Sequence, residues 1–113
     1  NGPYSPQDGS CKTCYGGVTI KSSDYTSITK NSHWFNVAHA SAVVKPGARM
    51  METSGFNYPS GFECQMYLNP DGTVGVLILN NQSSVQQMVF VNDSFTVKYN
   101  VPAKALVSLI WQE

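Results

Sequence analysis

Residues 68–80 read LNPDGTVGVLILN, and this stretch decides the class of fold. Asn69-Pro70-Asp71-Gly72 has Pro and Gly at the positions that a tight turn prefers, so it predicts a hairpin. Residues 74–79, which follow, are an apolar run as long as one strand. From residue 48 onward, segments of alternating hydrophobicity recur about every 10 residues with turns between them, as in an antiparallel sandwich. The predicted strands are residues 48–53, 62–68, 73–80, 86–91, 95–99 and 105–111.

The chain before residue 48 has a different pattern. Residues 1–15 are rich in Gly and Pro and predict loop, and residues 17–21 and 25–29 predict two short strands. Apolar side chains then recur at helical spacing over residues 33–44. Asn31 or Ser32 could cap this helix, and Pro46-Gly47 ends it.

We therefore predict a mainly β fold, an antiparallel β-sandwich of Greek-key or Ig-like type with one N-terminal α-helix at about residues 33–44. We expect a single domain over residues 1–113, in which residues 1–32 form loop and short strands, residues 33–45 the helix, and residues 48–113 the sandwich strands. A chain of 113 residues is long enough for one such domain.

Composition excludes two classes of partner. The formal net charge is zero and only 12% of the residues are charged, so there is no basic stripe for nucleic acid. No apolar run approaches the roughly 20 residues that span a bilayer. The polar residues are mainly Ser, Thr, Asn and Gln, and the sequons at Asn81 and Asn92 are candidate glycosylation sites. The chain starts without an initiator Met or a signal peptide, so we expect a mature, secreted protein, with the lysosome as the alternative location.

Three cysteines leave their pairing open. Cys11 and Cys14 have C-x-x-C spacing in a loop, and the expected structure is a short local disulfide rather than a redox motif or half of a zinc site. Cys64 is then left over, as a buried small side chain or as an intermolecular bridge, and a bond between Cys11 and Cys64 stays possible. The two histidines do not supply the missing ligands at matching spacing, so we expect no metal and no cofactor.

No catalytic residue is predicted. Glycoside hydrolysis needs two carboxylates about 5 Å or roughly 6.5–9.5 Å apart. Glu52 and Glu63 flank a loop and could lie on neighbouring strands, but strand alternation favours outward, solvated positions for both. His39 and Ser41 lie two residues apart on the helix and therefore face different ways.

The segment between the first two sandwich strands is rich in aromatic residues. Phe56, Tyr58 and Phe62 form a candidate binding loop, because flat aromatic faces can stack on sugar rings or anchor a protein partner. The alternative is that these rings simply cover the open end of the sandwich.

Several motifs together resemble glycoside hydrolase family 30, the glucosylceramidase family. Residues 33–49 resemble its "YxxxGHFSKFVKPGAxRI" segment, and residues 68–80 resemble its "xxPDGxxVVVVLN" hairpin. Residues 105–111 are similar to its closing strand, and residues 2–20 are similar to its "GGP…CxxC…GxVTI" run. The chain departs from the family pattern at Ala38 and Ala40, which replace a Gly and an aromatic residue.

The resemblance implies the C-terminal β-sandwich of an enzyme whose catalytic glutamates lie on barrel strands that are absent here. We therefore expect a secreted, non-catalytic protein that acts by binding or signalling. The alternatives are the processed C-terminal chain of an intact family 30 glycosidase and a carbohydrate-binding module. An uncovered sheet edge and an uncovered helix face predict a protein partner or self-association, with carbohydrate as a possible ligand.

Overall fold

A computed structural model of the protein describes residues 16–21, 23–52, 58–92 and 95–112. The chain divides into two compact units, Asn1–Ala38 and His39–Glu113, and each is described by itself. The single domain predicted from the sequence stays a prediction.

The described residues contain eight strands and one helix, and every strand pairing is antiparallel. The mainly β sandwich and its one helix are thus as predicted, and the bounds of β4 and β5 match the sequence pattern residue for residue. The elements are β1 Val18–Ile20, β2 Ile28–Lys30, α1 Ser32–Val43, β3 Arg49–Met51, β4 Phe62–Leu68, β5 Thr73–Asn80, β6 Gln86–Asn92, β7 Phe95–Val101 and β8 Ala105–Gln112.

The first unit contains the β1–β2 hairpin, and its second strand starts later than predicted. Asp24 explains the shift, because its carboxylate accepts hydrogen bonds from the backbone N–H groups of Thr26 and Ser27 and so extends the turn. Tyr25 within this turn has a φ of 55°. Asn31, one of the two predicted caps, donates its side-chain amide to Gly16 O and Thr19 Oγ1 instead.

The second unit is a sandwich of two sheets. One sheet has four strands in the order β3-β4-β5-β8, and the other pairs β6 with β7. Because β8 returns to pair with β5 after β6 and β7 have formed the other sheet, the chain crosses between sheets as in a Greek key. The buried core between the sheets comprises Phe62, Cys64, Val74, Val76, Ile78, Met88, Phe90 and Val101.

Strand alternation on β5 separates the two faces of the four-stranded sheet. Val74, Val76 and Ile78 point into the core and are at most 3% exposed. The intervening residues point to the opposite face, which we call the outer face. By register, three rows of outer-face neighbours cross three or more strands: Met50, Tyr67, Gly75 and Ile110; then Gln65, Leu77 and Ser108; then Glu63, Leu79 and Leu106.

Candidate binding surfaces of the sandwich

The two most recognisable turns of the sequence are joined to each other. Asn69, which is 2% exposed, donates its amide to Val43 O at 3.0 Å and accepts from the backbone N–H of Lys45 at 2.9 Å. The Lys45 ammonium forms an ion pair with Asp71 in the facing turn. This hydrogen bond holds the pKa of Asp71 at about 2, below its usual 3.8. The joint is structural, because it fixes the end of α1 against the β4–β5 hairpin.

The end of α1 lies on the outer face of the four-stranded sheet. A Cβ atom built on Gly75 would overlap Val43 O, and would lie 2.8 Å from Val43 C. His39 reaches the next row of the sheet, where its Nδ1 lies 2.9 Å from Ser108 Oγ. His39 therefore contacts the sheet, and Gly75 is the residue that lets the helix approach so closely.

Apolar side chains of the outer face stay exposed around the helix end. Met50 is 71% exposed, Ile110 is 45% exposed and Leu79 is 40% exposed. A shallow cavity of about 140 Å³ lies on the row of the outer face farthest from Gly75. It is lined by residues of β4, β5 and β8 that include Glu63, Leu79 and Leu106. A sheet face with this many uncovered apolar residues is typical of a surface that another protein segment covers. This exposed face was not predicted from the sequence, although a Gly in the middle of an apolar strand was an available signal.

The predicted aromatic binding loop is only partly described. Phe56 lies outside the described residues. Phe62 is 4% exposed and belongs to the core, so little of its ring is accessible to a ligand. Tyr58 is half-buried, and its ring centroid lies 5.8 Å from that of Phe62. These two rings therefore pack against the sandwich.

A cavity of about 300 Å³ nevertheless opens beside Tyr58. Its other walls are aromatic, apolar and amide groups, contributed by Pro59, Phe62, Gln86, Gln87, Met88 and Val89. Gln87 is exposed and hydrogen-bonds across the ribbon to Asn100 at 3.2 Å. The wall chemistry, a ring next to side-chain amides, is of the kind that binds a sugar.

The other predicted site residues do not form a reactive cluster. Glu52 and Glu63 are both exposed. Cys64 is a free, buried thiol whose pKa is raised by burial, an effect that the neighbouring Tyr58 hydroxyl partly opposes. Cys11 and Cys14 lie outside the described residues. Within residues 16–112 as described, no group of three or more His, Cys, Asp or Glu side chains could hold a metal ion.

The structure describes the whole sequon of Asn81 but only part of the sequon of Asn92. Asn81 is exposed in the turn after β5. Asn92 is the last residue of β6, and its sequon extends beyond the described residues. Among the described helices, none is long and apolar enough to cross a membrane.

Comparison with known proteins identifies the sandwich. The family model of the glycosyl hydrolase family 30 beta sandwich domain matches residues 47–109, more than half of the chain. The chain belongs to glycosyl hydrolase family 30. The match starts at Gly47, in the turn joined to the β4–β5 hairpin, and ends within β8, so it covers the sheets of the second unit.

Two solved structures resemble this family 30 chain. One is "The endo-beta1,6-glucanase BT3312", with a TM-score of 0.85 and 37% identity over 95% of this chain. The other is SrfJ from Salmonella typhimurium, with a TM-score of 0.78 over 90% of this chain, and its 20% identity supports the fold alone. This chain spans only 24% of the first protein and 22% of the second. No curated protein matches it.

Proposed function

We propose that this chain is the non-catalytic β-sandwich of a family 30 glycosidase and that its outer face packs against the catalytic part of the enzyme. The observation that carries the proposal is the asymmetry of the four-stranded sheet. Its inner face is closed by the β6–β7 ribbon. Among the described residues of the second unit, only the end of α1 covers the outer face, and Met50 and Ile110 stay exposed on either side.

The outer face both contacts the end of α1 and exposes apolar side chains beside it. The Gly75 row holds the helix end against the sheet, while Met50 and Ile110 lie at opposite ends of that row. Covering partly exposed side chains of this size stabilises a complex by about 1 kcal/mol each. A partner that packs against both sides of the helix would thus gain from several residues at once.

The similarity to an endo-β1,6-glucanase supports β1,6-linked glucan as the substrate class of the complete enzyme. We propose that the complete enzyme cleaves β1,6-linked glucan and that its catalytic carboxylates lie outside this chain. The chain itself would contribute packing, since Glu52 and Glu63 are solvated acids with no described role. A secreted protein that binds or signals through the same face remains the alternative proposal.

The test is complementation of a glucanase that lacks its own sandwich. We expect this chain, co-expressed with the catalytic part of the related endo-β1,6-glucanase, to co-purify with it and to restore hydrolysis of β1,6-glucan. Ile110→Asp places a charge on the outer face and should abolish both readouts. Val91→Asp is the matched control, because Val91 is 76% exposed on the other sheet.

Two results would contradict the proposal. One is a stable chain that neither binds the catalytic part nor restores activity. The other is equal loss of binding with Ile110→Asp and Val91→Asp, which would mean that the outer face has no special role.

A second candidate function is carbohydrate binding at the cavity beside Tyr58. The amide of Gln87 is exposed at its rim, so Gln87→Ala removes a sugar contact without disturbing the core. We expect retardation of the chain in gels that contain β1,6-glucan, and loss of that retardation in Gln87→Ala. Gln65→Ala, an exposed glutamine on the outer face, serves as the control. Equal migration of all variants with and without glucan would exclude this function.

A further inference from the structure

The turn after β5 presents one asparagine side chain to solvent on a rigid backbone. The backbone N–H of Asn81 donates to Gly61 O at 2.7 Å. The Lys104 ammonium lies 2.7 Å from Asn81 O and 3.1 Å from Asn81 Oδ1, and it donates to both. The backbone of Lys104 in turn donates to Gln82 O at 3.1 Å. Two neighbouring loops therefore hold Asn81 in place.

The next residue in the sequon is fixed in the same way. Gln82 donates its side-chain amide to Ser60 O at 3.1 Å, and its backbone N–H donates to Asn80 Oδ1 at 3.0 Å. Ser83, the hydroxyl residue of the sequon, is exposed. The three residues Asn81, Gln82 and Ser83 thus form an ordered, accessible tripeptide.

Asn80 and Asn81 carry the same side chain in opposite environments, the first buried and the second exposed. Asn80 is fully buried, and its Nδ2 lies within hydrogen-bonding distance of three backbone carbonyl oxygens, those of Ser84, Val101 and Pro102. Asn81 is exposed, and its Nδ2 donates to no other group among the described residues. The Oδ1 atom of Asn81 is occupied by Lys104, so the side chain of Asn81 is held while its nitrogen remains accessible.

We propose that Asn81 is N-glycosylated when the chain passes through a secretory pathway, an inference that does not depend on the proposed function. The donor is an oligosaccharide linked to a polyprenyl diphosphate. A bond forms between Asn81 Nδ2 and the anomeric carbon, the bond from that carbon to the diphosphate breaks, and the nitrogen loses one proton to the transferase. Because the amide oxygen is unchanged, the contact with Lys104 is retained, and the modified chain folds without rearrangement of the turn.

The position of the glycan fits the rest of the molecule. Asn81 lies beyond the last row of the outer face, six residues from Gly75 along the chain, which is about 20 Å in an extended strand. The glycan is therefore attached far from Met50 and Ile110, at the opposite end of the sheet.

The experiment is secretion of the full chain from yeast followed by site-resolved mass spectrometry. Chymotrypsin cleaves after Phe90 and separates the Asn81 peptide from the Asn92 peptide. Removal of glycans by peptide N-glycosidase in H₂¹⁸O converts an occupied asparagine to ¹⁸O-labelled aspartate. We expect the label at Asn81, and its loss in Ser83→Ala but not in Ser83→Thr. Asn80, in the same peptide, is the internal control and should stay unlabelled.

A reference sequon on a flexible N-terminal tag reports whether the secreted molecules met the transferase. An unlabelled Asn81 on molecules whose reference sequon is occupied would overturn the proposal. Persistence of the label in Ser83→Ala would also overturn it, because the signal would then come from deamidation.

Discussion

Replacing Gly75 by Ala should separate the end of α1 from the sheet. A Cβ atom at this position would lie 2.8 Å from Val43 C and 3.2 Å from Val43 Cβ, and it would overlap Val43 O. Ordinary carbon contacts are about 3.5–4.0 Å, so the helix end must move by about 1 Å. The obstacle is backbone, which cannot rotate away as a side chain would.

The expected cost follows from that geometry. Overpacking typically costs about 1–3 kcal/mol, and a backbone obstacle puts Gly75→Ala near the upper limit. The substitution regains about 0.5–1 kcal/mol, because Gly is a poor strand residue. We therefore expect a net loss of about 2 kcal/mol in the free energy of unfolding, which for a small domain lowers Tm by roughly 10 °C.

Urea and thermal unfolding followed by circular dichroism measure this loss directly. Hydrogen exchange locates it, because the amide of Val44, which bonds to Ala40 O in the last turn, should exchange faster in the variant. Val91→Ala, at an exposed strand position, is the control and should change stability by less than about 0.5 kcal/mol. A Gly75→Ala protein as stable as the control would refute the close approach of helix and sheet.

Three further predictions concern single side chains. The pKa of Asp71 is about 2 in the folded chain, below its ordinary value of 3.8. The ion pair of Asp71 with Lys45 therefore stabilises the folded state fully above pH 3.8, and this stabilisation is lost as the pH falls toward 2. Asp71→Asn should remove that part of the pH dependence of Tm. Asn80→Ala leaves buried carbonyls unsatisfied and should cost about 3 kcal/mol in urea unfolding, whereas Asn81→Ala should cost about 0.5 kcal/mol or less. Cys64 should resist alkylation, read by peptide mass spectrometry, until the chain is unfolded, and rapid labelling in the native state would contradict its burial.

The strands of the sandwich could be predicted because their signals are local. The turn at 69–72 and the period-two pattern on either side of it were enough to place β4 and β5 at their observed bounds. The short strand β2 was predicted to start three residues too early, because the pattern did not reveal that Asp24 accepts hydrogen bonds from the backbone N–H groups of Thr26 and Ser27. Local side-chain capping of this kind competes with strand pairing, and residue type alone does not show which wins.

The candidate surfaces were harder to predict, for a different reason. Phe62 and Tyr58 looked alike in sequence, yet Phe62 is buried in the core and Tyr58 is only half-buried beside it. Asn80 and Asn81 are identical neighbours, but Asn80 is buried at the end of β5, whereas Asn81 is exposed in the turn that follows. Which side of a strand meets another layer depends on contacts with residues far away in the sequence.

The amino-acid sequence was sufficient to predict the class of fold, the helix, the strands and a resemblance to a family of sandwiches, because turns and periodicity act over a few residues. The three-dimensional structure was needed to show that Asn69 joins two distant turns, that Gly75 receives the end of α1, and that the outer face of the sheet remains partly uncovered. These features depend on contacts between residues that are tens of positions apart in the sequence, and a local sequence pattern does not predict such contacts.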